Sequence, residues 1–91
     1  MLKRNFKNYT EAAFYDYLGA RGYAEGTTWE YVRRVRNVED INKLISSDID
    51  LYIDDYETGS KENLNSRSHK AYSNALKRLK EYMIDKRINS F

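Results

Sequence analysis

Apolar side chains recur at spacings of three and four in four separate stretches of this chain, and it contains no proline and only four glycines to interrupt them. Proline inside a helix removes a hydrogen bond and clashes with the preceding turn, and glycine costs about 1 kcal/mol relative to alanine. Residues at i, i+3, i+4 and i+7 share one helical face, so the spacing predicts amphipathic helices. The clearest case is Ile49, Tyr52, Ile53 and Tyr56, with Ser47 as the expected N-cap and the helix ending near Gly59. Asp48 and Asp50 sit where the positive end of that helix dipole favours them. An earlier helix is expected from about Thr10 to Ala20, with Ala13, Phe14, Tyr17 and Leu18 on its stripe and Gly22 as the stop. The next should start with Thr27 or Thr28 as N-cap and run to about Asn37 or a little further. The longest should run from Ser66 as cap to about Lys86, burying Tyr72, Ala75, Leu76, Leu79 and Met83. No two-residue alternation persists, so no sheet is expected. The expected fold is all-α: a compact four-helix bundle forming one domain over residues 1–91, in which only the ends and the loop "TGSKENLN" read as mobile.

Several function classes lack their residues. Without cysteine there are no disulfides or thiolate metal sites, which fits a reducing compartment. No apolar run approaches the roughly 20 residues that span a bilayer, and "MLKRNFKN" lacks a signal-peptide core. A cytoplasmic protein with no membrane partner is the expectation. There is no glycine-rich phosphate loop and no metal-ligand spacing, and the acid pairs Asp54–Asp55, Asp48–Asp50 and Glu39–Asp40 have no partner bases. Tyr17, Tyr31, Tyr52, Tyr56 and Tyr72 fall on core stripes and read as packing. His69, the sole histidine, reads as a surface or half-buried residue rather than a general acid or ligand. The chain alone should therefore catalyse nothing and hold no cofactor or metal.

Charge is segregated. Residues 39–57 carry seven acids against Lys43, whereas residues 60–91 carry eight Lys or Arg against Glu62, Glu81 and Asp85. Such a division can turn one basic side of a fold towards a polyanion. At 100° per residue Tyr31, Val35 and Val38 lie together, with Val32 at their edge. Trp29, Arg33, Arg36 and Asn37 fall opposite, and Arg34 lies on the flank. Opposite the apolar seam of the last helix lie Lys70, Ser73, Asn74 and Lys77, with Arg67 beside them in the first turn. Cations neutralise phosphates and release counterions, while hydroxyls and amides hydrogen-bond phosphates or base edges. Helix N-termini also bind phosphate, which gives Thr27, Thr28 and Ser66 a second use. The plainer reading is a solvated face, with Glu30–Arg34 and Lys77–Glu81 as i, i+4 pairs and Trp29 as a core residue or a partner contact.

The order of these motifs resembles the core-binding, or SAM-like N-terminal, domain of phage-integrase-type tyrosine recombinases. "FYDYLGARGYAEGTTWEY" is similar to that family's first helix, glycine turn and second-helix start, with Thr27 and Tyr31 at the family's spacing. "LISSDIDLYIDDYETG" resembles its third helix and "SRSHKAYSNALKRLKEYM" its last, so the likeness covers about Phe14 to Met83. The connection after Val38 is short relative to many members. The resemblance implies a SAM-like orthogonal bundle of bacterial or phage-derived origin that forms half of a clamp around duplex DNA, with its second and fourth helices facing the DNA. It implies DNA contacts from Thr27, Thr28, Trp29, Arg33, Arg36, Arg67, Lys70, Ser73, Asn74 and Lys77. It also implies that strand cutting belongs to a separate catalytic recombinase domain, absent here, and that the isolated domain is a monomer. The alternative from another class is a helical protein–protein interaction module using Trp29, Leu51 and the acidic third helix.

Overall fold

The computed structural model describes residues 5–58 and 66–86, without the side chains of 66 and 67. Among the described residues every regular element is a helix: α1 (Tyr9–Ala20), α2 (Glu25–Val38), α3 (Ile41–Ile45), α4 (Ile49–Glu57) and α5 (Ser66–Asp85). The all-α expectation holds, with a fifth, short helix added to the four. Most of "TGSKENLN" and both chain ends lie outside the described residues.

Local chemistry accounts for the boundaries. Asn8 caps α1 by accepting the Glu11 amide at 3.0 Å, and the Glu11 carboxylate accepts the Lys7 amide at 2.8 Å, a reciprocal arrangement close to a capping box. The helix stops where expected. Gly22 adopts φ 96°, and the amides of Gly22 and Tyr23 bond back to the carbonyls of Gly19 and Leu18, closing a Schellman motif.

At α2 the structure corrects the expected start. The helix begins at Glu25 after Ala24, which supplies no side-chain cap, so Thr27 and Thr28 lie inside the first turns instead of capping them. Thr28 is 1% exposed, and its hydroxyl reaches the Tyr23 carbonyl at 3.5 Å. α3 caps on Asp40, which accepts the Asn42 amide at 2.9 Å, and it buries Ile41 and Leu44. α4 is capped by Asp48, not by Ser47. Asp48 accepts the Asp50 amide at 3.1 Å, while the Ser47 hydroxyl turns back to the Lys43 carbonyl at 2.7 Å.

α5 is the central strut, packed against α1, α2 and α4. Ala75, Leu76 and Leu79 are fully buried along it, and Tyr82 and Met83 nearly so; they meet Phe14 and Leu18 of α1, Val32 and Val35 of α2, and Ile49, Ile53 and Tyr56 of α4 in one core. Tyr72 is half-buried and stacks on Tyr56 with ring centres 5.4 Å apart. The tyrosines assigned to packing are indeed buried or half-buried. Tyr17 also donates its hydroxyl to Asp85 at 2.5 Å and accepts from Arg21 at 2.7 Å, tying the end of α1 to the last turn of α5. Among the described residues no helix is long and apolar enough to cross a membrane.

Candidate nucleic-acid interface

α2 and α5, the two helices singled out by their basic strips, lie side by side. Tyr23 links them: its ring packs edge-on to Tyr31 at 5.5 Å, and its hydroxyl accepts from Arg78 of α5 at 3.2 Å. Between the helices runs a groove of about 280 Å³ lined by Thr27, Tyr31 and Arg34 of α2 and by Lys70, Ala71 and Asn74 of α5. On the other side of α5 a larger cleft, about 590 Å³, extends to the end of α4 and includes Tyr56, Glu57, His69 and Lys77. Lys70 and Asn74 line both and so form the ridge between them.

Four described cations mark this surface, and carboxylates hold three of them. Glu30 lies 3.3 Å from Arg33 and 4.0 Å from Arg34, and Lys77 pairs with Glu57 of α4. Among the described residues Lys70 pairs with no carboxylate. The Glu30–Arg34 pair was legible from i, i+4 spacing. The Lys77–Glu81 pair does not form, because Glu81 turns to Arg78 at 2.8 Å and Arg21 at 3.9 Å. The Lys77 hydrogen bond is the largest influence on the Glu57 carboxyl; with the Lys77 charge and the Ser73 hydroxyl it outweighs desolvation and lowers the pKa below the ordinary value.

The structure brings Thr27, Lys70, Asn74 and Lys77 to the surface in the two clefts, and Arg33 to the exposed face of α2 next to Glu30. It withdraws four other expected residues. Thr28 is sealed in the core beneath α2. Ser73 is 3% exposed, held under the α4 end with its hydroxyl 3.3 Å from Glu57. Trp29 is half-buried on the opposite flank of α2, edge-on to Phe6 at 5.6 Å and Tyr15 at 6.3 Å. Arg36 is committed inward. Its fork donates to both oxygens of Glu11, at 2.7 and 3.1 Å, and to the Asn5 carbonyl at 2.9 Å, and its guanidinium lies 5.4 Å from the Trp29 ring centre. The Arg67 side chain lies outside the described residues.

One error of rotation explains the withdrawals on α2. Taking Tyr31, Val35 and Val38 as the buried centre ignores Thr28, a polar residue that sits between Val32 and Val35 on the wheel. Including it turns the buried arc by about 60° at 100° per residue. Trp29 and Arg36 then fall on the flank towards α1, and Arg34 moves into the groove beside α5. Arg34 is the residue that sequence reasoning left out of the site, and the buried hydroxyl of Thr28 hid it.

The Glu11–Arg36 pair is structural. Burial alone would raise the Glu11 pKa, but the Arg36 and Lys7 hydrogen bonds and their charges outweigh it and hold the carboxyl below its ordinary value. Arg36 is shifted upward, chiefly by its hydrogen bonds to Glu11. His69 is half-buried, edge-on to Tyr56 at 6.3 Å. Among the described residues no group of three or more histidines, aspartates and glutamates could hold a metal ion. What the α2–α5 surface offers chemically is two cations, a hydroxyl and an amide around one groove, a set suited to holding an oxyanion.

Comparison with protein-family models, curated proteins and solved structures finds no match.

Proposed function

We propose that this chain is a duplex DNA-binding module that positions DNA for a catalytic domain outside it. This is the role implied by its resemblance to the core-binding domain of tyrosine recombinases, whose work is DNA integration and recombination. One observation carries the reading: Thr27 and Arg34 of α2 and Lys70 and Asn74 of α5 line a single groove, so two basic helices offer one surface to a polyanion. Lys77 in the adjoining cleft and Arg33 on the exposed face of α2 would extend the contact along the backbone. The setting is cytoplasmic, the free domain is a monomer, and the chemistry of strand exchange belongs elsewhere.

The test is a duplex titration over a range of salt, followed by amide chemical shifts. One module makes few phosphate contacts, so binding should be micromolar or weaker. Arg33→Ala and Lys77→Ala should each flatten the slope of log K against log salt by about 0.9. Affinity unchanged in the double variant, or shifts confined to α1 and α4, would refute the reading.

A second reading is a helical protein-interaction module, favoured by the 65% exposure of Leu51 on α4. It predicts a concentration-dependent dimer or a protein ligand, with no DNA-induced shifts on α2 and α5.

A further inference from the structure

We propose, building on the duplex-binding reading, that Glu30 and Glu57 are internal competitors of nucleic-acid phosphate and set the affinity of the α2–α5 surface. Glu30 divides its two oxygens between Arg33 and Arg34, as a bridging phosphate would. Glu57 comes from a different helix. It is the last residue of α4, whose final turn contains no basic residue, so the helix dipole disfavours its charge there. It is held instead across the cleft, by Lys77 and by the Ser73 hydroxyl at 3.3 Å. Three of the four described cations on this surface are thus already satisfied, and Lys70 is left to make the first phosphate contact. All three pairs are solvent-exposed, with side-chain exposures between 36% and 51%. Exposed pairs of this kind are weak enough for a multivalent phosphate backbone to displace. Once displaced, each carboxylate faces the backbone and repels it, so the acids penalise binding both before and after contact.

The experiment uses the full chain and a duplex at about 50 and 200 mM salt, with Glu30→Gln/Glu57→Gln compared against wild type. Binding should tighten about three- to tenfold at the lower salt, with a smaller gain at the higher because screening weakens each charge. Circular dichroism and the thermal midpoint should stay near wild type, since both residues are exposed. Asp16→Asn/Asp54→Asn is the control; it removes the same formal charge from exposed side chains on α1 and α4. If the control tightens binding as much as the test variant, or if the test variant binds no better than wild type, the competitor role is overturned. Arg34→Ala/Lys70→Ala separates the two levels of inference. If that variant weakens duplex binding while the glutamine variant changes nothing, the competitor role alone falls. If it leaves binding unaltered, the duplex-binding reading falls and the competitor role with it.

Discussion

Arg36 looks on a helical wheel like a phosphate contact, yet its structure makes it a stability residue, and Arg36→Ala separates the two roles. Alanine would leave the Glu11 carboxylate, in a residue 2% exposed, without the guanidinium that donates to both its oxygens, and would open space beside Trp29. Breaking one side of a buried ion pair costs about 3–5 kcal/mol. The Arg36 side chain keeps 20% of its exposure, so water can partly reach the vacated site and the lower figure, about 3 kcal/mol, is expected. A 91-residue chain has roughly 5–14 kcal/mol of stability in all, so the loss is a large fraction of it. At about 4–8 °C per kcal/mol for a domain of this size, the thermal midpoint should fall by about 12–24 °C. Urea unfolding at neutral pH, followed by Trp29 fluorescence and by far-ultraviolet circular dichroism, measures it. Glu11→Gln/Arg36→Met leaves no unpaired buried charge and keeps an acceptor for the Lys7 amide, so it should recover part of the loss, the rest being the cost of a buried glutamine NH2 without a partner. A cost below about 1 kcal/mol for Arg36→Ala would show that the pair is not desolvated as described. A flattened salt dependence of duplex binding in the folded variant would show that Arg36 meets phosphate after all.

The same pair dictates a pH response. Glu11 is shifted below its ordinary 4.5, so its contribution is fully present above that value and is lost as pH falls through the lower folded value. Acid unfolding should therefore develop below about pH 4.5, and Glu11→Gln should flatten that part of a stability–pH curve measured by urea titration. Thr28→Val exchanges a buried hydroxyl, bonded at a long 3.5 Å, for a methyl group. It should cost no more than about 1 kcal/mol and leave duplex affinity unchanged, whereas a phosphate-contacting Thr28 would lose affinity when titrated with DNA.

The elements most legible in the sequence were those long enough for the period to repeat. Ala75, Leu76, Leu79 and Met83 were placed correctly because a helix of 20 residues states its apolar side several times. α3, with five residues, states it once, and Ile41 and Leu44 at i and i+3 do not distinguish a helix from a loop that buries two side chains. Capping was ambiguous where two competent residues adjoin. Ser47 and Asp48 can both accept an amide hydrogen bond, and the choice fell to Asp48 because α3 ends at Ile45 and leaves the Lys43 carbonyl free to take the Ser47 hydroxyl.

The site was harder to read, for a reason specific to charged residues. Hydrophobic burial repeats along one helix, so a wheel drawn from a single segment finds it on α5 and misses on α2 only where a threonine shares the buried arc. The partner of an arginine or lysine depends on which carboxylate another helix delivers. Arg36 meets Glu11 from 25 positions away, and Lys77 passes over Glu81 on its own helix for Glu57 on α4. No periodicity within α2 or α5 contains that information. Arg33 and Arg36 lie only about 60° apart on the α2 wheel, yet one faces solvent beside Glu30 and the other is bolted to the α1 cap. The division has a functional consequence. An arginine whose fork is filled by a buried carboxylate cannot release it without unfolding its surroundings, whereas one sharing an exposed glutamate can exchange that partner for a phosphate. On the duplex-binding proposal, phosphate contacts would therefore fall to Arg33, Arg34, Lys70 and Lys77, whose partners are exposed or absent among the described residues, while Arg36 ties α2 to the start of α1.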